Sequence, residues 1–284
     1  MNLQAYWNYD DPAASEARFR ELLATATGDA RLEVMTQIAR TYSLRRRFAD
    51  AHALLDQVEP QLGAAGLAPR LRYLLERGRT FRSDGARERA RPLFEQAWTL
   101  GQNSSEEDLT IDAAHMLALV ESGAAAMAWN ERALQLARHA RDPEAHRWVG
   151  PLVNNLGGSL REAGRHDEAL ARFREAVDAY TLRGTPAQLR IAHWQVARTL
   201  RDLKRHDEAM AILTRLQAET DAAQAPDGYI HEELAENLDA LGRPQEAQPH
   251  FARAYELLSQ DPWFAKDQPA RLARLAARAR GQSR

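Results

Sequence analysis

Five side chains are of types that recognise peptides. Asn154 and Asn155 can hydrogen-bond an extended backbone, Trp194 offers a stacking face, and Arg198 and Arg201 can fork a carboxylate. The same residues would equally serve packing, with the asparagines bonded to neighbouring helices, Trp194 held between them, and Arg201 paired with Asp239 or Glu236. Catalysis asks for a nucleophile or an acid–base pair beside groups that shift its pKa, and no such constellation is visible. The absence of cysteine removes disulfides, thiol catalysis and thiolate-bound metals. His166-Asp167-Glu168 and His206-Asp207-Glu208 have metal-ligand types, but consecutive side chains at a turn diverge, so they read as structural. Neither a His-Glu-x-x-His pair nor a phosphate-cradling glycine loop occurs. The expectation is a protein with no enzymatic activity, no cofactor and no metal.

The elements that must position these residues come from an internal repeat. Alanine recurs at Ala51, Ala90, Ala126, Ala169, Ala209 and Ala247, at separations of 39, 36, 43, 40 and 38 residues, enough for two antiparallel helices and a loop. Twelve residues before each anchor stands a small residue: Ala39, Gly78, Ala114, Gly157, Ala197 and Ala235. Nine before stands a large apolar one: Tyr42, Phe81, Leu117, Leu160, Leu200 and Leu238. The two lie on one helix face, so small and large alternate and neighbouring helices interlock. Four residues after the anchor come Leu55, Phe94, Asn130, Phe173, Leu213 and Phe251, which form the stripe of a second helix with one polar break. Gly85, Gly164 and Gly242 sit five before their anchors, where a helix end takes a left-handed residue. Acids in Arg165-His166-Asp167-Glu168-Ala169 and Arg205-His206-Asp207-Glu208-Ala209 then open the next helix, favoured by its dipole.

The run Asn155-Leu156-Gly157-Gly158-Ser159-Leu160, with Gly164, Asp167-Glu168-Ala169, Phe173 and Ala176, resembles the tetratricopeptide repeat family over roughly residues 32 to 261. The long period and the Asn154-Asn155 pair resemble the extended repeats of kinesin light chains and of bacterial peptide-sensing regulators. The resemblance implies an all-α, right-handed superhelical α-solenoid of about six helix-turn-helix repeats with helical caps. The boundaries are a cap over 1–31, repeats over 32–68, 69–106, 107–149, 150–187, 188–226 and 227–261, and one capping helix over 262–284. It implies a scaffold that recognises a protein or peptide in a concave groove, or a regulatory sensor responding to such a ligand. The positions that face the groove in this family add Arg40, Arg72, Arg79, Arg82 and Arg161 to Asn154, Asn155, Trp194, Arg198 and Arg201. Arg72, Arg79 and Arg82 would make a basic end of surface residues, and Glu232, Glu236 and Asp239 an acidic one, to steer a partner with an acidic segment. Of the family's carboxylate clamp only Asn155 and Arg198 match. Ile111 and Trp194 stand for lysine and His115 for asparagine.

A net charge of −2 argues against nucleic acid, and no run approaches the roughly 20 apolar residues that span a bilayer. Residues 1–10 show no secretory signal, so a cytoplasmic location is expected. Arginine outnumbers lysine 36 to 2, which reads as codon bias. Asp11-Pro12 and Asp261-Pro262 mark helix starts in the flanking caps. Ala17, Leu22 and Leu23 would cover the first repeat. Leu272 and Leu275 would face the last, with Arg271, Arg274, Arg278 and Arg280 outside. An open-ended stack can also dock on a second copy, so a homodimer is expected to be accessible.

Overall fold

The computed structural model describes residues 3–282, which contain fifteen α-helices. They are α1 (Pro12–Thr25), α2 (Gly28–Leu44), α3 (Phe48–Val58), α4 (Leu67–Ser83), α5 (Arg87–Gly101), α6 (Glu107–Val120), α7 (Gly123–His139), α8 (Val149–Glu162), α9 (His166–Arg183), α10 (Pro186–Asp202), α11 (His206–Ala222), α12 (Gly228–Ala240), α13 (Pro244–Ser259), α14 (Pro262–Asp267) and α15 (Pro269–Ala279). Short 3₁₀ turns occupy Leu3–Tyr6, Glu59–Gln61 and Pro143–Trp148. No strand occurs among the described residues, and the fold is all-α. No helix among them is long and apolar enough to cross a membrane. The chain divides into two compact units, one ending at Leu152 and the other beginning at Val153.

Helices α2 to α13 form six pairs, and the repeated residues explain why each pair closes. All six anchor alanines are buried, as are the small residues twelve before them. Gly78 and Gly157 let an aromatic ring of the paired helix lie on the backbone. A Cβ built on Gly78 would meet Phe94 at 2.4 Å, and one on Gly157 would meet Phe173 at 2.8 Å. Five residues before the anchor, the turn is left-handed at Gly85, Gly164 and Gly242, with φ of 88°, 75° and 73°. The same position is left-handed at Arg46 and Lys204, with φ of 60° and 59°, so the turn persists where glycine is missing. The repeated Arg-His-Asp-Glu string also has a local task. Arg165 forks Glu168 at 2.6 Å and Arg205 forks Glu208 at 2.6 Å, and Arg243 with Glu246 repeats the contact at 2.7 Å.

Asn130 breaks the apolar stripe at a real cost. It is only 3% exposed, and its Oδ1 has no hydrogen-bond partner. The equivalent Leu55, Phe94, Phe173, Leu213 and Phe251 are buried apolar side chains. A buried amide oxygen left unpaired costs about 1–3 kcal/mol. Asn130→Leu is therefore expected to raise stability by about that amount, read as a higher urea midpoint with unchanged helix content. A lower midpoint would show that the pocket is shaped for the amide.

Both caps depart from expectation in part. Asp11 and Asp261 do cap helices, accepting from the backbone of Ala13 and Ala14 and of Trp263. On α1, however, Phe19 is the fully buried apolar residue while Ala17 is exposed, because Phe19 packs on Tyr6 and Trp7. The C-terminal cap is two helices, α14 and α15, since Pro269 starts a new helix after Gln268. Residues 1, 2, 283 and 284 of the expected caps lie outside the described residues. Leu275 is buried, as its spacing implies. Arg280 is exposed as expected, but Arg271, Arg274 and Arg278 turn towards α12.

Candidate functional site

In the unit ending at Leu152, the first helices of the pairs, α2, α4 and α6, share a face crossed by ion pairs. Arg72 on α4 meets Glu33 on α2 at 2.8 Å. Arg40 on α2 reaches Glu76 on α4 at 3.3 Å, and Arg79 holds Glu76 at 2.7 Å while also bonding Asp112 on α6. Glu76 and Asp112 are buried. Burial alone would push the Asp112 carboxyl up, but Arg79 and Arg40 outweigh it and hold the group below its ordinary value. Two of these rungs, Arg40–Glu76 and Arg79–Asp112, join an arginine eleven residues before its anchor to an acid fourteen before the next one. The spacing of the anchors thus converts directly into a ladder.

The N-terminal segment closes one side of this face. Trp7 donates from its indole to Gln37 at 3.0 Å and stacks on Tyr9, and the Arg40 guanidinium lies 5.3 Å from the Trp7 ring. On the other side Arg147 and Trp148 both bond Asp108, at 2.5 and 2.8 Å. A cavity of about 450 Å³ remains between these walls, lined by Arg72, Glu76, Arg79, Asp112 and Trp148 among others. His115 packs on Trp148 with ring centroids 5.4 Å apart. Burial pushes its pKa down to about 4, with Asp112 opposing and Arg79 and Arg82 adding to the shift.

In the unit beginning at Val153, Arg161 on α8 bonds Asp202 on α10 at 2.5 Å. Arg201 forks Glu233 on α12 at 2.7 and 3.1 Å. Its expected partner was Asp239 or Glu236, but these face α15 instead. Arg271 and Arg274 hold Glu232 at 2.5 and 3.0 Å, Arg274 also bonds Glu236, and Arg278 bonds Asp239. Helix α15 thus supplies the arginines that a further repeat would bring, which is why they point inward. The expected acidic end of a groove is accordingly neutralised within the fold, and so are Arg72 and Arg79 of the basic end.

Not every group there is satisfied. Arg198 lies 5.1 Å from the Trp194 ring, and its Nε makes no hydrogen bond, with Glu233 3.4 Å away. Burial and then Arg161 depress the Arg198 pKa from its ordinary value. Asn154 likewise leaves a buried Oδ1 unpaired. Trp194 is half-buried and spends its N–H on the Tyr229 carbonyl at 3.1 Å, so only its ring is available to a ligand. Beside these residues a polar cavity of about 360 Å³ is lined by Arg198, Arg201, Glu233 and Arg271 among others.

Among the described residues, no three His, Asp or Glu side chains are placed to hold a metal. His206 bonds Asn237 at 3.0 Å, and His166 lies 3.9 Å from Asp202. The residues that sequence reasoning passed over are Glu76, Asp112 and Glu233, the buried acids fourteen before their anchors. Their shared offset was a signal available in the sequence.

Repeated helix pairs, interlocked by small and large residues and joined by ladders between their first helices, define an α-solenoid. The tetratricopeptide repeat family matches over residues 148–218, and the described helices on either side repeat the same pair. No curated protein matches the sequence. Among solved structures, the chain is similar to a signal transduction ATPase with numerous domains from Pyrococcus horikoshii that carries a tetratricopeptide repeat sensor. That likeness has 14% identity and a TM-score of 0.71, and covers 89% of this chain but only 39% of the other. It is also similar to the apo form of RapI, at 13% identity and a TM-score of 0.70, over 92% of this chain and 76% of that one. NprR in complex with its cognate peptide NprX is similar at 14% identity and a TM-score of 0.60, over 99% and 84% of the two chains. At these identities the likeness is one of fold.

Proposed function

We propose that the chain is a non-catalytic module that binds a peptide or protein segment on the faces made by its first helices. The observation that carries this reading is the unpaired hydrogen-bonding capacity of Asn154 and Arg198 beside the exposed part of the Trp194 ring. A buried polar atom without a partner is costly, and an extended backbone or a carboxylate would remove that cost. Asn154, Asn155, Trp194 and Arg198 are the proposed contacts in the unit beginning at Val153, and Arg82 is a separate one in the unit ending at Leu152. Arg40, Arg72, Arg79, Arg161 and Arg201 are held by acids and shape the surface around them. The fold shared with a peptide-bound protein supports the same reading, and that shared with a repeat sensor supports a ligand-responsive variant of it.

Selection from a random displayed-peptide library tests this directly. A selected peptide is expected to bind Asn154→Ala/Arg198→Ala roughly 10-fold more weakly or worse, as the loss of two hydrogen bonds predicts. Fluorescence anisotropy measures both affinities. Equal affinity would move the interface away from these residues.

A further inference from the structure

The ladder in the unit ending at Leu152 has one rung without an acid. Arg79 on α4 bonds Asp112 on α6, a separation of 33 residues. One turn further on both helices, at the same separation, stand Arg82 and His115, near enough that the Arg82 charge adds to the downward shift of the His115 pKa. Among the described residues no carboxylate pairs with Arg82: Asp112 is engaged by Arg79, and burial and the cations Arg87 and Arg79 depress the Arg82 pKa. Elsewhere an arginine eight residues before its anchor finds an acid on the next first helix, Arg161 with Asp202 and Arg201 with Glu233. Here that helix offers His115 and Leu119 instead. Arg82 Nε and His115 Nδ1 are both buried and make no hydrogen bond. The charge around them is positive and the dielectric is low, so an anion gains more there than on an open surface.

We infer that Arg82 and His115 form an oxyanion site, in which a carboxylate or phosphate takes the place of the missing acid. The guanidinium supplies N–H donors in a fork, and the imidazole supplies one more, becoming imidazolium when the anion arrives. Asp112 limits the site on one side, which favours a single small anionic group over an extended acidic surface. If an acidic segment docks here, as the proposed function holds, this rung receives its carboxylate. The site itself is testable without any peptide.

The His115 ring and Arg82 Nε–H resonances of the full chain are followed by NMR while acetate or inorganic phosphate replaces chloride at constant ionic strength. A saturable shift of both signals is expected, with the His115 pKa rising by about 1–3 pH units as an opposite charge is brought close. Saturation with acetate identifies a carboxylate site, and saturation with phosphate alone a phosphoryl site. Arg82→Gln, which breaks no ion pair, should abolish the effect at His115. His115→Asp, which supplies the carboxylate within the chain, should abolish it at Arg82. No saturable change with either anion, or an equal change in Arg82→Gln, would overturn the inference. Neither result depends on whether a peptide binds at Asn154 and Arg198.

Discussion

Replacing Arg79 with alanine is expected to destabilise the protein by about 3–5 kcal/mol, the usual cost of removing one partner of a buried ion pair. The side chain of Arg79 is 13% exposed, and those of its partners Glu76 and Asp112 are 3% and 8% exposed. Without the guanidinium, two carboxylates remain on one dry face with only Arg40 to compensate. Arg79→Glu should be worse, since it adds a third carboxylate there, and loss of cooperative folding in this unit is expected. This reverses the sequence-based expectation of Arg79 as a surface residue of a basic end. Arg79→Lys should fall between wild type and alanine, because an ammonium cannot fork across two acids. Removing the orphan as well, in Arg79→Ala/Asp112→Ala, should recover part of the loss. Urea unfolding followed by circular dichroism measures the series, with Arg165→Ala as the exposed control expected to change little. A cost for Arg79→Ala below about 1 kcal/mol would mean that the pair behaves like a solvated one.

The contrast between Arg79 and its sequence reading shows what was legible and why. Helix pairs, left-handed turns and the interlock of Gly78 or Gly157 with an aromatic ring depend on residue size and spacing, and both are written locally. The groove depends on which charges are already spent. Positions eighteen, fifteen, eleven, eight and seven before each anchor hold Arg40, Arg72, Arg79 and Arg82, and counted alone they make a basic surface. The acids that neutralise most of it, Glu76 and Asp112, sit at position fourteen, buried and paired with arginines of the preceding first helix. Helix α15 escaped for a similar reason. Its arginines have the composition of a solvated face, and only the stacking of α12 beside them turns them inward. Arg82 emerges as different from its neighbours only once every other pair has been assigned.

The interlock itself makes the second large prediction, and its test lies in a change of sign. Phe94 is fully buried, and its ring lies where a Cβ on Gly78 would have to go. Phe94→Ala is expected to cost about 3–5 kcal/mol through lost burial and the cavity left behind. Gly78→Ala sets two effects against each other. Alanine stabilises a helix interior by about 1 kcal/mol over glycine, but a 2.4 Å contact with a ring that cannot retreat costs about 1–3 kcal/mol. The net effect should be destabilising. Gly158, with nothing within 4 Å of a built Cβ, has only the first effect, so Gly158→Ala should stabilise by about 1 kcal/mol. In the Phe94→Ala background the clash is gone, and Gly78→Ala should become stabilising, both filling the cavity and restoring helix propensity. A double-mutant cycle on urea midpoints reads this reversal directly. Additive effects would mean that the small residue twelve before the anchor does not serve ring packing. Because that small residue recurs in all six pairs, the cycle tests how the whole repeat is held together.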